Sequence, residues 1–162
     1  PYPGASVVPS LCRATFDRRT LVGEDEAVIL GQVNEAIARA QETHPGLKAR
    51  CYLAEGEEKC WTGDTIRAKR YFPAWVVDED SELVQGAMKG LKDAGIEAKL
   101  SHFAFCTNGS SFCGEAGIPT IGYGPSLESL AHVRDEYIEI DQLLKSCKGF
   151  ESILTQLTHE SA

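Results

Sequence analysis

Residues 117–143 read GIPTIGYGPSLESLAHVRDEYIEIDQL, and the order of residue types here points to the fold class. Ile118, Thr120 and Ile121 make a short apolar, β-favouring run behind Gly117 and Pro119. Gly122, Gly124, Pro125 and Ser126 break that run. A helical pattern follows, with Asp141 placed to cap it and Leu143–Leu144, Cys147, Ile153–Leu154 and Leu157 on one face. Gly149 marks an expected kink in it. Strand, loop and helix in that order are the repeat of an α/β protein, whose sheet holds its loops rigidly while their residues remain free to vary. This loop delivers one imidazole, His132, and the acidic pair Asp135–Glu136.

The preceding residues repeat the pattern. Tyr71–Val77 is aromatic and β-branched, with Pro73 restricting it to an edge strand or a chain crossing. Asp80 or Ser81 can cap a helix through Leu83–Val84, Ala87–Met88 and Leu91, closed by Gly95. Ile96–Phe105 reads as a strand ending in Thr107-Asn108-Gly109-Ser110-Ser111, and a short helix to Ala116 ends at Gly117. Alternating strands and helices imply a parallel sheet covered by helices. Neighbouring parallel strands would release both loops at one sheet edge, bringing Asn108 towards His132.

Towards the N-terminus, residues 1–10 (PYPGASVVPS) form a Pro-rich extended entry. Residues 11–20 (LCRATFDRRT) alternate: Cys12, Ala14 and Phe16 share one face, Arg13, Thr15, Asp17 and Arg19 the other. On the polar face Asp17 can hold the Arg19 guanidinium in one pose, ready to grip an anion through its planar fork. A solvated charged face is the plainer alternative. Glu24–Glu26 open a helix that runs to about Gln41, and Lys48–Ala54 is expected as the next strand. Strand, helix and strand make half of a split βαβ arrangement, with too little core to stand comfortably alone. Residues 55–69 lack a period and read as a connector. Its Glu57–Glu58 pair is a poor acid/base candidate, because adjacent side chains diverge in most backbones.

Composition narrows the function classes. With 162 residues, 43% of them apolar and 25% charged, the chain is of ordinary soluble, globular character. A net charge of −8, with Arg67, Lys69 and Arg70 as the one basic cluster, argues against nucleic acid as a partner. A long apolar run and a signal-like start are both missing, which points away from membranes and towards the cytoplasm. The six cysteines include no CxxC pair and read as small buried residues, with Cys106 and Cys113 a weaker candidate for metal binding, a bridge or redox work.

The residues Asp17-Arg18-Arg19, Thr107-Asn108-Gly109 and GIPTIGYGP…AHVRDEYIEID together resemble the C-terminal part of a metallopeptidase family. Its members include acetylornithine deacetylase, succinyl-diaminopimelate desuccinylase and carboxypeptidase G. Tyr71–Trp75 and Thr107–Ser111 are most similar to its selenium-metabolism-linked hydrolase branch. The resemblance extends over nearly the whole chain and implies an α/β fold. Residues 1–68 would be half of a split-βαβ lid that commonly mediates homodimerisation, and residues 69–162 the last part of a parallel-sheet catalytic domain. It implies two zinc ions per intact subunit, or cobalt or manganese, and hydrolysis of amide bonds in N-acyl amino acids or small peptides. His132 matches the family's C-terminal metal-binding histidine, and Arg19 matches the lid arginine that grips the substrate carboxylate. Asn108 and Gly109 fall near the substrate pocket, where many relatives have Thr-Asp.

The remaining ligands of that family lie before the lid and include a His-x-Asp. None of the four histidines here is followed two residues on by Asp. Zinc takes three or four protein ligands, so His132 alone does not make a site. The expectation is therefore a C-terminal fragment of a metal-dependent deacylase or peptidase, inactive by itself and carrying no catalytic residue of its own. The alternative is a non-catalytic α/β binding or assembly module.

Overall fold

The computed structural model describes residues 8–159, apart from the His159 side chain, so most of the Pro-rich entry lies outside the described residues. The chain divides into two compact units: one takes in the chain up to Arg19 and Glu26–Tyr71, the other Thr20–Asp25 and everything from Phe72 on.

The first unit contains helix α1 (Glu26–Thr43) and an antiparallel hairpin of β1 (Glu55–Lys59) and β2 (Thr65–Lys69). α1 begins where acidic residues meet the positive end of the helix dipole, and it buries Ile29. The hairpin corrects the expected connector. Its register places Glu57 opposite Arg67, and the two form an ion pair at 2.8 Å. Glu58 projects to the other face and pairs with Arg70 at 3.1 Å. Lys69 reaches Glu26 at 2.9 Å, and that hydrogen-bonded carboxylate raises the lysine's pKa. A segment without apolar periodicity becomes a strand pair here because charges complement one another across it.

The other expected strands do not form ladders among the described residues, where the hairpin is the only sheet. Residues 11–20, 48–54, 71–77, 96–105 and 118–121 run without ladder pairing. Alternation says which side chains would share a face, but a strand exists only where a neighbour supplies donors and acceptors. Phe16, expected on a buried face, is 87% exposed.

In the second unit the helices carry the structure. α2 (Glu82–Asp93) starts at Ser81, whose hydroxyl accepts the Val84 N–H at 3.4 Å. It ends in a Schellman turn: Gly95 adopts φ +72°, its N–H donates to the Lys92 carbonyl and the Ile96 N–H donates to Leu91. α3 (Ile140–His159) lies antiparallel to α2, since Gly86 meets Leu157, Gly90 meets Ser152 and Lys148 donates to the Ala94 carbonyl. The approach is close enough that a Cβ on Gly90 would lie 2.6 Å from the Ser152 carbonyl oxygen. Ala87, Leu91 and Ile153 form the core, with Ile96, Ala98, Ile121, Tyr123 and Leu157 packed around it. α3 runs uninterrupted through Gly149, the site of the expected kink. Glycine retains its backbone N–H, unlike proline, so the helical hydrogen bonds persist, and the Tyr123 ring occupies the space left by the missing side chain. Asp141 sits inside the first turn of α3 rather than capping it.

Three measurements check these elements. Gly90→Ala gains roughly 1 kcal/mol of helix propensity but overpacks a backbone contact at a cost of about 1–3 kcal/mol, so net destabilisation is expected in urea melts. Gly31→Ala in α1, where a Cβ would meet nothing within 4 Å, is expected to stabilise by about 0.5–1 kcal/mol. Burial raises the Tyr123 pKa. Folding therefore holds the phenol protonated: this stability is complete below the ordinary tyrosine pKa of about 10 and is lost as pH rises through the folded value. Alkaline unfolding of Tyr123→Phe is expected to show a shallower pH dependence, and an unchanged one would refute the assignment.

Candidate metal and substrate site

The loop expected to carry the chemistry leaves the core at Tyr123, whose ring meets Phe150 of α3 edge-on at 5.1 Å. A short 3₁₀ turn, Glu128–Leu130, precedes His132. Three non-glycine residues here take positive φ: Ser126 at +76°, His132 at +62° and Asp135 at +59°. Each costs about 1–2 kcal/mol against the usual backbone, so the surrounding hydrogen bonds must hold them. The Ser126 N–H donates to Gln142 Oε1 at 2.8 Å, tying the loop to α3. The His132 N–H donates to Glu136 Oε2 at 2.9 Å. A hydrogen bond to a charged acceptor contributes about 1.5–3 kcal/mol, enough to offset the local cost. The His132 side chain is exposed.

The Asn108 loop is held from another direction. Asn108 accepts the N–H groups of Ser111 and Phe112 at 3.1 Å each, opening a π-helical turn over Ser110–Glu115. Gly109 is buried, donates to Thr107 Oγ1 at 3.1 Å and lies directly against the Trp75 indole. A Cβ on Gly114, one turn on, would sit 2.8 Å from Pro73 Cγ. The two glycines thus admit Pro73 and Trp75, so Gly109 has a packing reason to be glycine. The two loops are joined through their stems. The Ala104 N–H donates to the Glu128 carboxylate at 2.8 Å, and Phe103 fills the space above Gly122. The neighbouring parallel strands expected to bring Asn108 towards His132 are not formed among the described residues, and the two residues share no hydrogen bond there.

Arg19 belongs to the first unit, and its guanidinium lies 3.6 Å from the Asp17 carboxylate. At 63% and 81% exposure this pair contributes little stability. It leaves most of the guanidinium fork available to an anion.

Among the described residues no three His, Cys, Asp or Glu side chains converge as a metal group. His132 supplies one imidazole where zinc takes three or four ligands, so these residues by themselves do not fit the metal that the sequence resemblance implies. Cys106 and Cys113 are both unbridged, and the Cys106 thiol instead lies 3.6 Å from the Ser110 hydroxyl. Glu57 and Glu58 are each occupied by an arginine on opposite faces of the hairpin. The tethers Glu128 and Gln142 carried no sequence signal: each meets a backbone N–H far along the chain.

The family model described as Peptidase family M20/M25/M40 matches residues 14–156. YgeY of Escherichia coli (strain K12), a protein described as uncharacterized, is 30% identical over 135 residues, 83% of this chain and 32% of its own length. A putative LysW-lysine/LysW-ornithine hydrolase of Pyrococcus horikoshii is 29% identical over 87 residues, 54% of this chain and 27% of its own. The N-formyl-4-amino-5-aminomethyl-2-methylpyrimidine deformylase of Halalkalibacterium halodurans is 35% identical over 89 residues, 54% of this chain and 21% of its own. The chain therefore spans about a third or less of the length of these relatives. No solved structure matches it.

Proposed function

The chain belongs to peptidase family M20/M25/M40, and on that premise we propose that it is the C-terminal portion of a metal-dependent amidohydrolase acting on N-acyl amino acids or small peptides. The observation that carries this reading is the family match over residues 14–156. The relatives named as a hydrolase and a deformylase favour cleavage of an acyl–nitrogen bond. Residues 1–68 would serve as half of a lid through which two subunits pair, and residues 69–162 as the end of the catalytic domain, in a cytoplasmic enzyme.

In this reading His132 offers its exposed imidazole as one ligand to zinc, the other ligands coming from elsewhere in the intact enzyme. Arg19 receives the substrate carboxylate in its planar fork, selecting substrates that end in an anion. Asn108 lines the substrate pocket, and Gly109 sets the backbone beside it. The proton transfers are assigned to residues elsewhere in the intact enzyme; Glu57 and Glu58 are each paired with an arginine. The chain alone is accordingly inactive. Nucleic acid is not read as a partner, since the basic cluster Arg67, Lys69 and Arg70 has its counter-charges within the first unit.

The test compares the 162-residue chain with a hybrid in which it replaces the matching segment of the Escherichia coli relative. The chain alone should retain no stoichiometric zinc after dialysis and hydrolyse no N-acyl amino acid. The hybrid should hydrolyse such substrates, and His132→Ala should lower its activity by roughly a hundredfold or more together with its metal content. Hydrolysis by the chain alone, or an active hybrid indifferent to His132→Ala, would overturn the proposal.

A further inference from the structure

We infer that Glu136 is a positioning residue: its carboxylate holds the His132 backbone in the left-handed conformation and thereby sets where the imidazole points. The inference rests on the reading of His132 as a functional residue, but its structural half stands on the loop alone. His132 is β-carbon-bearing and sits at φ +62°, a region that such residues enter only when their surroundings compel it. The compelling contact is the bond from the His132 N–H to Glu136 Oε2, four residues on, at 2.9 Å. Ser126, at φ +76°, repeats the device: its N–H is accepted by the Gln142 side-chain carbonyl at 2.8 Å.

The direction of the Cα–Cβ bond follows from φ and ψ, so fixing the backbone fixes the cone within which the imidazole can lie. A residue free to leave the left-handed region would swing its side chain away from that cone. Glu136 therefore acts on the imidazole through the main chain, without contacting the ring's nitrogens. This differs from the usual arrangement, in which a carboxylate orients a histidine by accepting its ring N–H. The left-handed φ of Asp135 brings the chain round so that Glu136 faces back towards His132.

The experiment is residue-resolved NMR on the full 162-residue chain, reading amide exchange and the HN–Hα coupling of residue 132. In Glu136→Ala the His132 amide should exchange about tenfold faster, with its coupling shifted away from the left-handed value. Glu136→Gln, which keeps an acceptor at the same reach, should restore both. Glu136→Asp, one methylene shorter, should behave like Ala and serves as the second variant if Ala fails to fold. In the active hybrid, Glu136→Ala should lower kcat with KM unchanged, and Glu136→Gln should recover it.

Unchanged exchange and coupling in the Glu136→Ala or Glu136→Asp chain would overturn the inference, as would equal loss of activity in the Ala and Gln variants. A hybrid indifferent to His132→Ala would instead remove the functional reading while the NMR result on the loop stood. The two failures are thus distinguishable.

Discussion

The second unit depends on the close approach of two helix backbones, Gly90 of α2 against the Ser152 carbonyl of α3. Helix axes come this near only where side chains are missing from the contact, and Gly86 and Gly90, four apart, clear one stripe of α2. Ile153 then reaches the core beside Ala87 and Leu91. Polar side chains close the flanks: Lys89 donates to Gln156 at 2.6 Å and Lys148 to the Ala94 carbonyl at 2.7 Å. The Schellman turn at Gly95 returns Ile96 to the same core, so helix end and following segment are set by one event.

From that helix pair the candidate site inherits its position. α3 presents Phe150 to Tyr123 and Gln142 to Ser126, fixing the start of the His132 loop at two points. Ser126 is itself left-handed, and beyond it so are His132 and Asp135. Strain of that kind persists only when hydrogen bonds over-determine the conformation, and such loops cluster where geometry matters to function. The Asn108 loop reaches the same neighbourhood by packing, its stem bonded to Glu128 and its turn seated on Trp75 and Pro73. One loop is held by side chains gripping amides, the other by glycines admitting larger neighbours.

Electrostatics organise the first unit differently. The strands of its hairpin bury no residue and are zipped by Glu57–Arg67 and Glu58–Arg70, with Lys69 crossing to Glu26 at the start of α1. Exposed pairs contribute little singly, but together they decide which charges remain available. Arg67, Lys69 and Arg70 each meet a carboxylate of this unit, and Arg19 lies beside Asp17; all four side chains remain largely exposed.

The sequence alone determined the family, through motifs spread from Asp17 to Asp141, and the three long helices. The Ser81 cap, the Gly95 stop and the acidic start of α1 are local signals, and helices close their hydrogen bonds within four residues. It also singled out His132 and Arg19 as the residues to examine. What it left open is whatever needs a distant partner. Residues 11–20 and 96–105 alternate as strands do, yet no ladder pairs them among the described residues. Residues 55–69, without that pattern, form the one sheet, because Glu57 finds Arg67 across a turn. The grip of Glu136 on the His132 amide, the Gln142 tether and the seating of Trp75 on Gly109 were likewise decided by tertiary structure. A side chain bonding to a remote backbone group leaves no periodic trace, since its partner is chosen by proximity in space rather than by spacing along the chain.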